Sequence, residues 1–248
     1  MRLTCIAVIN RSPLFEGRKA LVLDRIVRAV QTQIERDFAP AWGLAPVPVM
    51  AVDDGAAVPL GAGLVYLVQK IADAPGAYGI HKADPSGFFA GFVAVDAICK
   101  LGGTLSRGSD SVSSALSHEV LELIANPSVN LWCDDGAGLS FAREVCDPVS
   151  GDGYDIEVEP FSEGPSEAVC VSNFVHPDWF KPSATSGAMF DQMGLLTRQF
   201  EVRKGGYAVS RTAKADSVCT GQIRPLGGQR VGKLVEPANV IASAPKRA

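Results

Sequence analysis

Within the stretch Ser113 to Pro127, SSALSHEVLELIANP, the residues whose types and spacing could do chemistry are His118, Glu119 and Glu122. A right-handed helix turns about 100° per residue, so His118 and Glu122, four positions apart, point the same way. In the zinc motif H-E-x-x-H the first and last residues bind the metal, and the Glu between them acts as general base on the attacking water. Here a Glu stands in the last position, giving H-E-x-x-E. The same spacing also makes an ordinary ion pair on a solvated helix face.

The neighbours decide between these alternatives better than the motif does. Val112, Ala115, Leu116, Val120, Leu121, Leu123 and Ile124 cover most of the helix circumference and leave a polar stripe through Ser111, Ser114, His118 and Glu122. A helix that apolar is mostly buried. Buried carboxylates are costly unless paired or metal-bound, and no Lys or Arg occurs between Gly108 and Ala142. A cation is their natural partner.

A hydrolytic zinc site needs three protein ligands and an open position. Glu144, 22 residues after Glu122, is the expected third ligand, with Asp147 close behind it as the alternative. Phe141 to Cys146 reads as a helical turn that would present Glu144. Asp134 and Asp135 suit a solvated cap or a calcium-like oxygen site. Cys133 and Cys146 flank the motif and are candidate soft metal ligands, but they form no C-x-x-C, so buried thiols are the favoured reading. His81, after a predicted strand, could face the cleft, but a lone His there reads first as a satisfied polar residue, and His176, before a proline, as a residue that positions its loop.

The elements that would hold these side chains follow from periodicity. Leu3 to Ile9 reads as a buried strand, and Gly17 to Phe38 as an amphipathic helix that the prolines of Ala39 to Pro48 bring to an end. Val47 to Val52 and Gly63 to Lys70 are expected strands, Tyr78 to His81 an edge segment, and Phe88 to Ile98 a strand leading into the central helix. Beyond Asn126-Pro127 the chain to Pro182 is rich in loop formers, with a hairpin expected from Ile156 to Glu159 and Ala168 to Ser172. Asp191 to Phe200 is expected to be helical and Tyr207 to Ser210 extended. From Thr212 on, sparse aromatics with several Gly and Pro predict an extended arm. The element order suggests an α/β or α+β layer structure, with α+β the expectation, as a single domain over residues 1–211 and an arm or tail over 212–248.

The chain of 248 residues is 47% hydrophobic and 20% charged, ample for a real core. A net charge of −4 gives no electrostatic footprint for nucleic acid or an anionic membrane. No segment has the roughly 20 apolar residues that span a bilayer, and Leu3 to Ile9 is too short for a signal-peptide core. The six cysteines are scattered, as reduced thiols are. A cytoplasmic protein is expected.

QIERDFAPAWG (Gln33 to Gly43), YGIHK (Tyr78 to Lys82), LSHEVLELIANP (Leu116 to Pro127), AREVCDPV (Ala142 to Val149), VSNFVHPDWF (Val171 to Phe180) and GGYAV (Gly205 to Val209) resemble segments of a family of largely uncharacterised phage and bacterial proteins. Its members pair an S-H-E-x-x-E helix with a downstream E-x-x-D segment. The resemblance covers about residues 30 to 210 and implies a zincin-like metallopeptidase fold, a mixed sheet packed on an N-terminal helix and a central metal-site helix. It implies zinc or another divalent metal on His118, Glu122 and Glu144 or Asp147, with Glu119 as base. Ile80 and Lys82 depart from the family pattern, so the resemblance assigns His81 no role.

Two functions follow as expectations. One is a metal-dependent hydrolase, a peptidase whose partner is a peptide or protein substrate. The other is a non-catalytic virion structural or assembly protein of a phage, in the host cytoplasm or the particle, whose partners are other phage proteins or further copies of itself. Glu119 favours the first, since a structural metal site needs ligands but no base.

Overall fold

The structure is a computed structural model that describes residues 3–83, 89–160, 165–184, 187–212 and 216–220. Short runs of β-branched and small apolar residues form β1 (Ile6–Asn10), β2 (Val49–Asp53), β3 (Gly63–Val68), β4 (Gly79–Ala83) and β5 (Phe89–Ala94). These make one mixed sheet in the order β2-β1-β3-β5-β4. All neighbours are parallel except β4, which runs antiparallel to β5 on the outer edge.

Side chains alternate across a strand, and the sheet sorts them accordingly. Ile6, Val8, Val65, Leu67 and Val93 enter the main core, while Ile9, Tyr66 and Ala90 form a small cluster on the other face. There Tyr66 stacks on Phe92, and Arg11 and Lys82 lie over the two rings.

The main face is covered by two helices. The first, α1 (Ala20–Gln33), buries Leu23, Ile26, Val27 and Val30 at helical spacing. It does not stop at the prolines. A π-turn over Ile34–Phe38 leads into α2 (Ala39–Trp42), and Gly43, at φ 62°, ends the run. The Ala39 N–H bonds to the Ile34 carbonyl, five residues back. A wider turn relieves the clash that Pro40 would make with the carbonyl four residues before it in an α-helix. The expected strand from Phe88 to Ile98 likewise ends early, because α3 (Val95–Lys100) begins with Asp96 in its first turn, where that carboxylate accepts from Ser12 Oγ.

The second covering helix is α4 (Val112–Ala125), which holds the H-E-x-x-E stretch. Ser111 caps it by accepting from Ser114 N–H, and Asn126 ends it before Pro127. It is enclosed from the far side by the antiparallel hairpin β8 (Gly153–Val158) and β9 (Glu167–Ser172). Ser113 donates to Cys170 O, Ser172 N–H donates to Ser117 Oγ, and Gln33 of α1 donates to Ser172 O. The small hydroxyls of α4 thus serve as joints to the hairpin.

The remaining strands, β6 (Trp132–Asp134), β7 (Ser140–Ala142), β10 (Tyr207–Arg211) and β11 (Asp216–Thr220), form a sheet in the order β11-β10-β7-β6. Here the structure corrects three expectations. Phe141 lies in a strand rather than a helical turn, paired between Cys133 and Ser210 and packed on Trp179 and Phe200. Helical backbone comes later, as a 3-10 turn at Asp147–Val149. Asp191 to Phe200 is not a helix: the buried Asp191 carboxylate accepts from Leu196 N–H and Met193 N–H, and Gly194 turns at φ 66°. An aspartate that captures nearby amides in this way competes with helix formation. Finally, β11 carries paired structure past Thr212; residues 221–248 of the expected arm lie outside the described residues. The molecule is α+β.

Candidate metal centre

Each side chain of the site is delivered by a different local device. The helical spacing of α4 places His118 Nε2 3.1 Å from Glu122 Oε1. The 3-10 turn after Cys146 brings Asp147 Oδ1 to 3.2 Å from the same nitrogen. Two main-chain features fix that turn. Cys146 N–H donates to Glu122 Oε1, and β10 starts hard against Pro148, where any Cβ on Gly206 would run into the Pro148 carbonyl. The close approach sets Tyr207 beside Asp147, and its hydroxyl donates to that carboxylate.

Glu119 faces the edge strand. A side chain on Gly79 would collide with its carboxylate, and a Cβ on Gly91 would lie 3.1 Å from its Cβ. These two glycines let α4 settle against β4 and β5. Gly79 and His81 are two apart on β4, hence on one face, and His81 pairs in register with Gly91. His81 Nδ1 is therefore 3.1 Å from Glu119 Oε2 and 3.4 Å from Glu122 Oε2, while its Nε2 lies 3.1 Å from the Glu119 main-chain oxygen.

The two alternatives for a third ligand end up in different places. Asp147 meets His118, whereas Glu144 sits with His81 and Glu122, its Oε1 accepting from Asn126 Nδ2. Two sets of three potential donors have all their ligand atoms within 4.8 Å of one another: His118, Glu122 and Cys146, and His81, Glu122 and Glu144. Both can hold a metal ion. The thiol of Cys146 belongs to one set, in keeping with its less favoured reading as a soft ligand, and His81, for which a satisfied polar role was favoured over a place in the cleft, belongs to the other. Cys133 belongs to neither. Asp134 and Asp135 accept main-chain N–H groups of the β6–β7 turn, and His176 stacks on Phe174 near Gln192.

Burial sets the electrostatics. Glu119, Glu122 and Asp147 are each less than 5% exposed, yet among the described residues no Lys or Arg forms an ion pair with these three or with Glu144. Burial pushes the Glu119 carboxyl up to about 7 and, helped by Glu122, that of Asp147 up to about 6. Burial and Glu122 hold Glu144 well above the usual carboxylate range. For the imidazoles burial works the other way and is overridden. Glu119 and Glu122 raise His81 to about 9, and Glu122 and Asp147 hold His118 well above its ordinary value. Glu122 alone goes down: burial pushes it up, but His118 and His81 together outweigh that.

No family model, curated protein or solved structure matches the chain. The site stands on its own chemistry. Two buried oxygens, Glu119 Oε2 and Asp147 Oδ1, accept no hydrogen bond even though each lies beside an imidazole nitrogen. Buried polar atoms are nearly always satisfied, and a mixed imidazole and carboxylate donor set suits a divalent ion. The residues fit a metal.

Beside the cluster opens a cleft lined by Tyr78, Gly79, Ala115, His118, Glu119, Ser150 and Tyr207. It runs past the start of β4, whose outer edge pairs with no strand among the described residues. No helix among them is long and apolar enough to cross a membrane.

Proposed function

We propose that this chain is a metal-dependent hydrolase of the zincin-like peptidase class, with His118, Glu122 and Asp147 holding a divalent ion, zinc foremost, and Glu119 as general base. The observation that carries it is the buried excess of carboxylates over cationic side chains, with two oxygens left without a hydrogen bond. A bound divalent ion supplies Lewis-acid polarisation of a carbonyl and makes water more acidic.

The chain's own residues do the rest. One residue past His118, Glu119 is turned about 100° round the helix, so its carboxylate meets the cleft at Gly79. With no cation in place its carboxyl titrates near neutrality, the range in which a general base takes a proton and returns it to a leaving amine. Tyr207, by donating to Asp147, favours the ionised form of that carboxylate. The outer edge of β4, which pairs with no strand among the described residues, is a template on which an extended peptide can add as a further strand. That edge is the argument for a peptide or protein substrate.

Glu119→Gln keeps shape and burial but removes the base. It is expected to retain metal and fold while lowering turnover on a peptide library by about 10²–10⁴-fold. Equal cleavage by both proteins rules out this mechanism. Cleavage by neither, with metal bound in both, favours the non-catalytic virion role.

A further inference from the structure

Glu122 presents its two oxygens to two different partners. Oε1 lies 3.1 Å from His118 Nε2, and Oε2 lies 3.4 Å from His81 Nδ1. A carboxylate split in this way is what a bridge between two cations requires, and paired ions in hydrolytic sites sit about 3.5–4 Å apart.

The ring of His81 points to the same conclusion. Its Nε2 faces a main-chain carbonyl, which can only accept, so Nε2 carries a hydrogen. Ligating histidines are commonly oriented by such a bond from the far nitrogen. Nδ1 then turns towards two carboxylates, of Glu119 and Glu122, with Glu144 behind them. In the neutral ring this sets a lone pair against acceptors on every side. A proton on Nδ1 leaves Glu119 Oε2 without a hydrogen bond, as is observed. A cation there accepts lone pairs from Nδ1, Glu122 and Glu144 at once.

Charge gives a third, independent argument. Glu119, Glu122, Glu144 and Asp147 carry four negative charges when ionised, and one divalent ion offsets half of them. Two divalent ions offset all four with both imidazoles neutral, which is the form in which imidazole binds metal.

We infer that the centre is dinuclear: beside the ion on His118, Glu122 and Asp147, a second divalent transition-metal ion is held by His81 Nδ1, Glu144 and the Oε2 atom of the bridging Glu122. Glu119 Oε2 faces this second ion, which leaves its Oε1 at the Gly79 side of the cleft. The inference rests on the metal assignment at His118 made above.

The test uses the full chain, stripped with chelator, reloaded with zinc, dialysed and analysed for zinc per chain. Wild type is expected to hold two, and His81→Asn and Glu144→Gln one each. Loaded with manganese, wild type is expected to give the electron paramagnetic resonance spectrum of an exchange-coupled pair, and Glu144→Gln that of an isolated ion. One zinc in wild type, unchanged by Glu144→Gln, overturns the second site and leaves the His118 assignment standing. No zinc retained by wild type overturns both. Should either variant fail to fold, the stoichiometry and the coupled spectrum of wild type still decide.

Discussion

The two halves of this molecule are held together differently, and the site lies where they meet. Up to Ala125 the chain builds layers: a sheet sorted by alternation and helices sorted by the 3.6-residue period, with the helices packed on the sheet's main-core face. After Asn126 much of the chain is fixed by polar side chains that bind main-chain groups. Asn126 Oδ1 accepts from Asn130 and Leu131 N–H, Asp135 holds the β6–β7 turn, and Asp191 accepts from Asn173 Nδ2 and from the amides of 193 and 196. The first half supplies rigid donors with predictable faces, His81, His118, Glu119 and Glu122. The second supplies the return segment with Glu144, Cys146 and Asp147. Donors from both kinds of structure converge in groups that could hold a metal ion.

Four measurements would break or sharpen this contrast. Leu116, fully buried in α4, belongs to the layered half; Leu116→Ala is expected to cost about 2–5 kcal/mol and to lower the denaturant midpoint of the whole molecule. Asp191→Ala is expected to cost about 3 kcal/mol, because a buried charged acceptor is lost and its donors are stranded. Hydrogen exchange should rise first in residues 190–200. Exchange spread evenly over both halves would contradict the contrast.

The third measurement is the pH dependence of the metal-free protein. His81, raised to about 9 from 6.5, and Glu119, raised to about 7 from 4.5, both hold protons in the folded state that the unfolded chain releases. Their stabilising contributions are complete below the unfolded values and are lost as pH rises, through about 7 for Glu119 and about 9 for His81. Glu122 is depressed, so its contribution is present above 4.5 and lost on acidification. Metal-free protein should therefore lose stability between pH 6.5 and 9, as read from urea midpoints. Metal-loaded protein should lose less, since ligands release protons on binding. A metal-free protein that gains stability over that window would contradict the assignment. The smallest effect is expected at the cap: Ser111→Ala removes the acceptor for Ser114 N–H and should cost about 1 kcal/mol.

What could be read from the sequence divides along the same line. The first half obeys periodic rules, so its strands and α4 were legible, whereas Ser111, read as part of the helix's polar stripe, is its cap. Where periodicity was overridden, the cause is local: a π-turn lets α1 pass Pro40, and Asp191 unwinds a segment whose apolar spacing looks helical. Glu144 and Asp147 were legible as acidic residues at a useful distance, but which one meets His118 depends on the fit of Gly206 against Pro148, a contact between segments about 60 residues apart in the chain. His81 carried a usable signal. Gly79 and His81 share a strand face, and the absence of Lys or Arg from Gly108 to Ala142 left the carboxylates in need of a positive or metal-bound neighbour. Joining those two facts would have pointed to His81.

His81 is tethered to α4 through the main-chain oxygen of Glu119, not only through its side chain. A main-chain oxygen is the same whatever residue occupies position 119, so the ring keeps its anchor when that side chain changes. If Glu119 is the base proposed above, the reactive group is thereby uncoupled from the framework that orients the proposed ligands. A lineage could lose the base by one substitution and keep an intact ion-binding centre, or regain it by the reverse change. Enzyme and binding protein would then be neighbours in sequence space, one codon position apart on a shared scaffold.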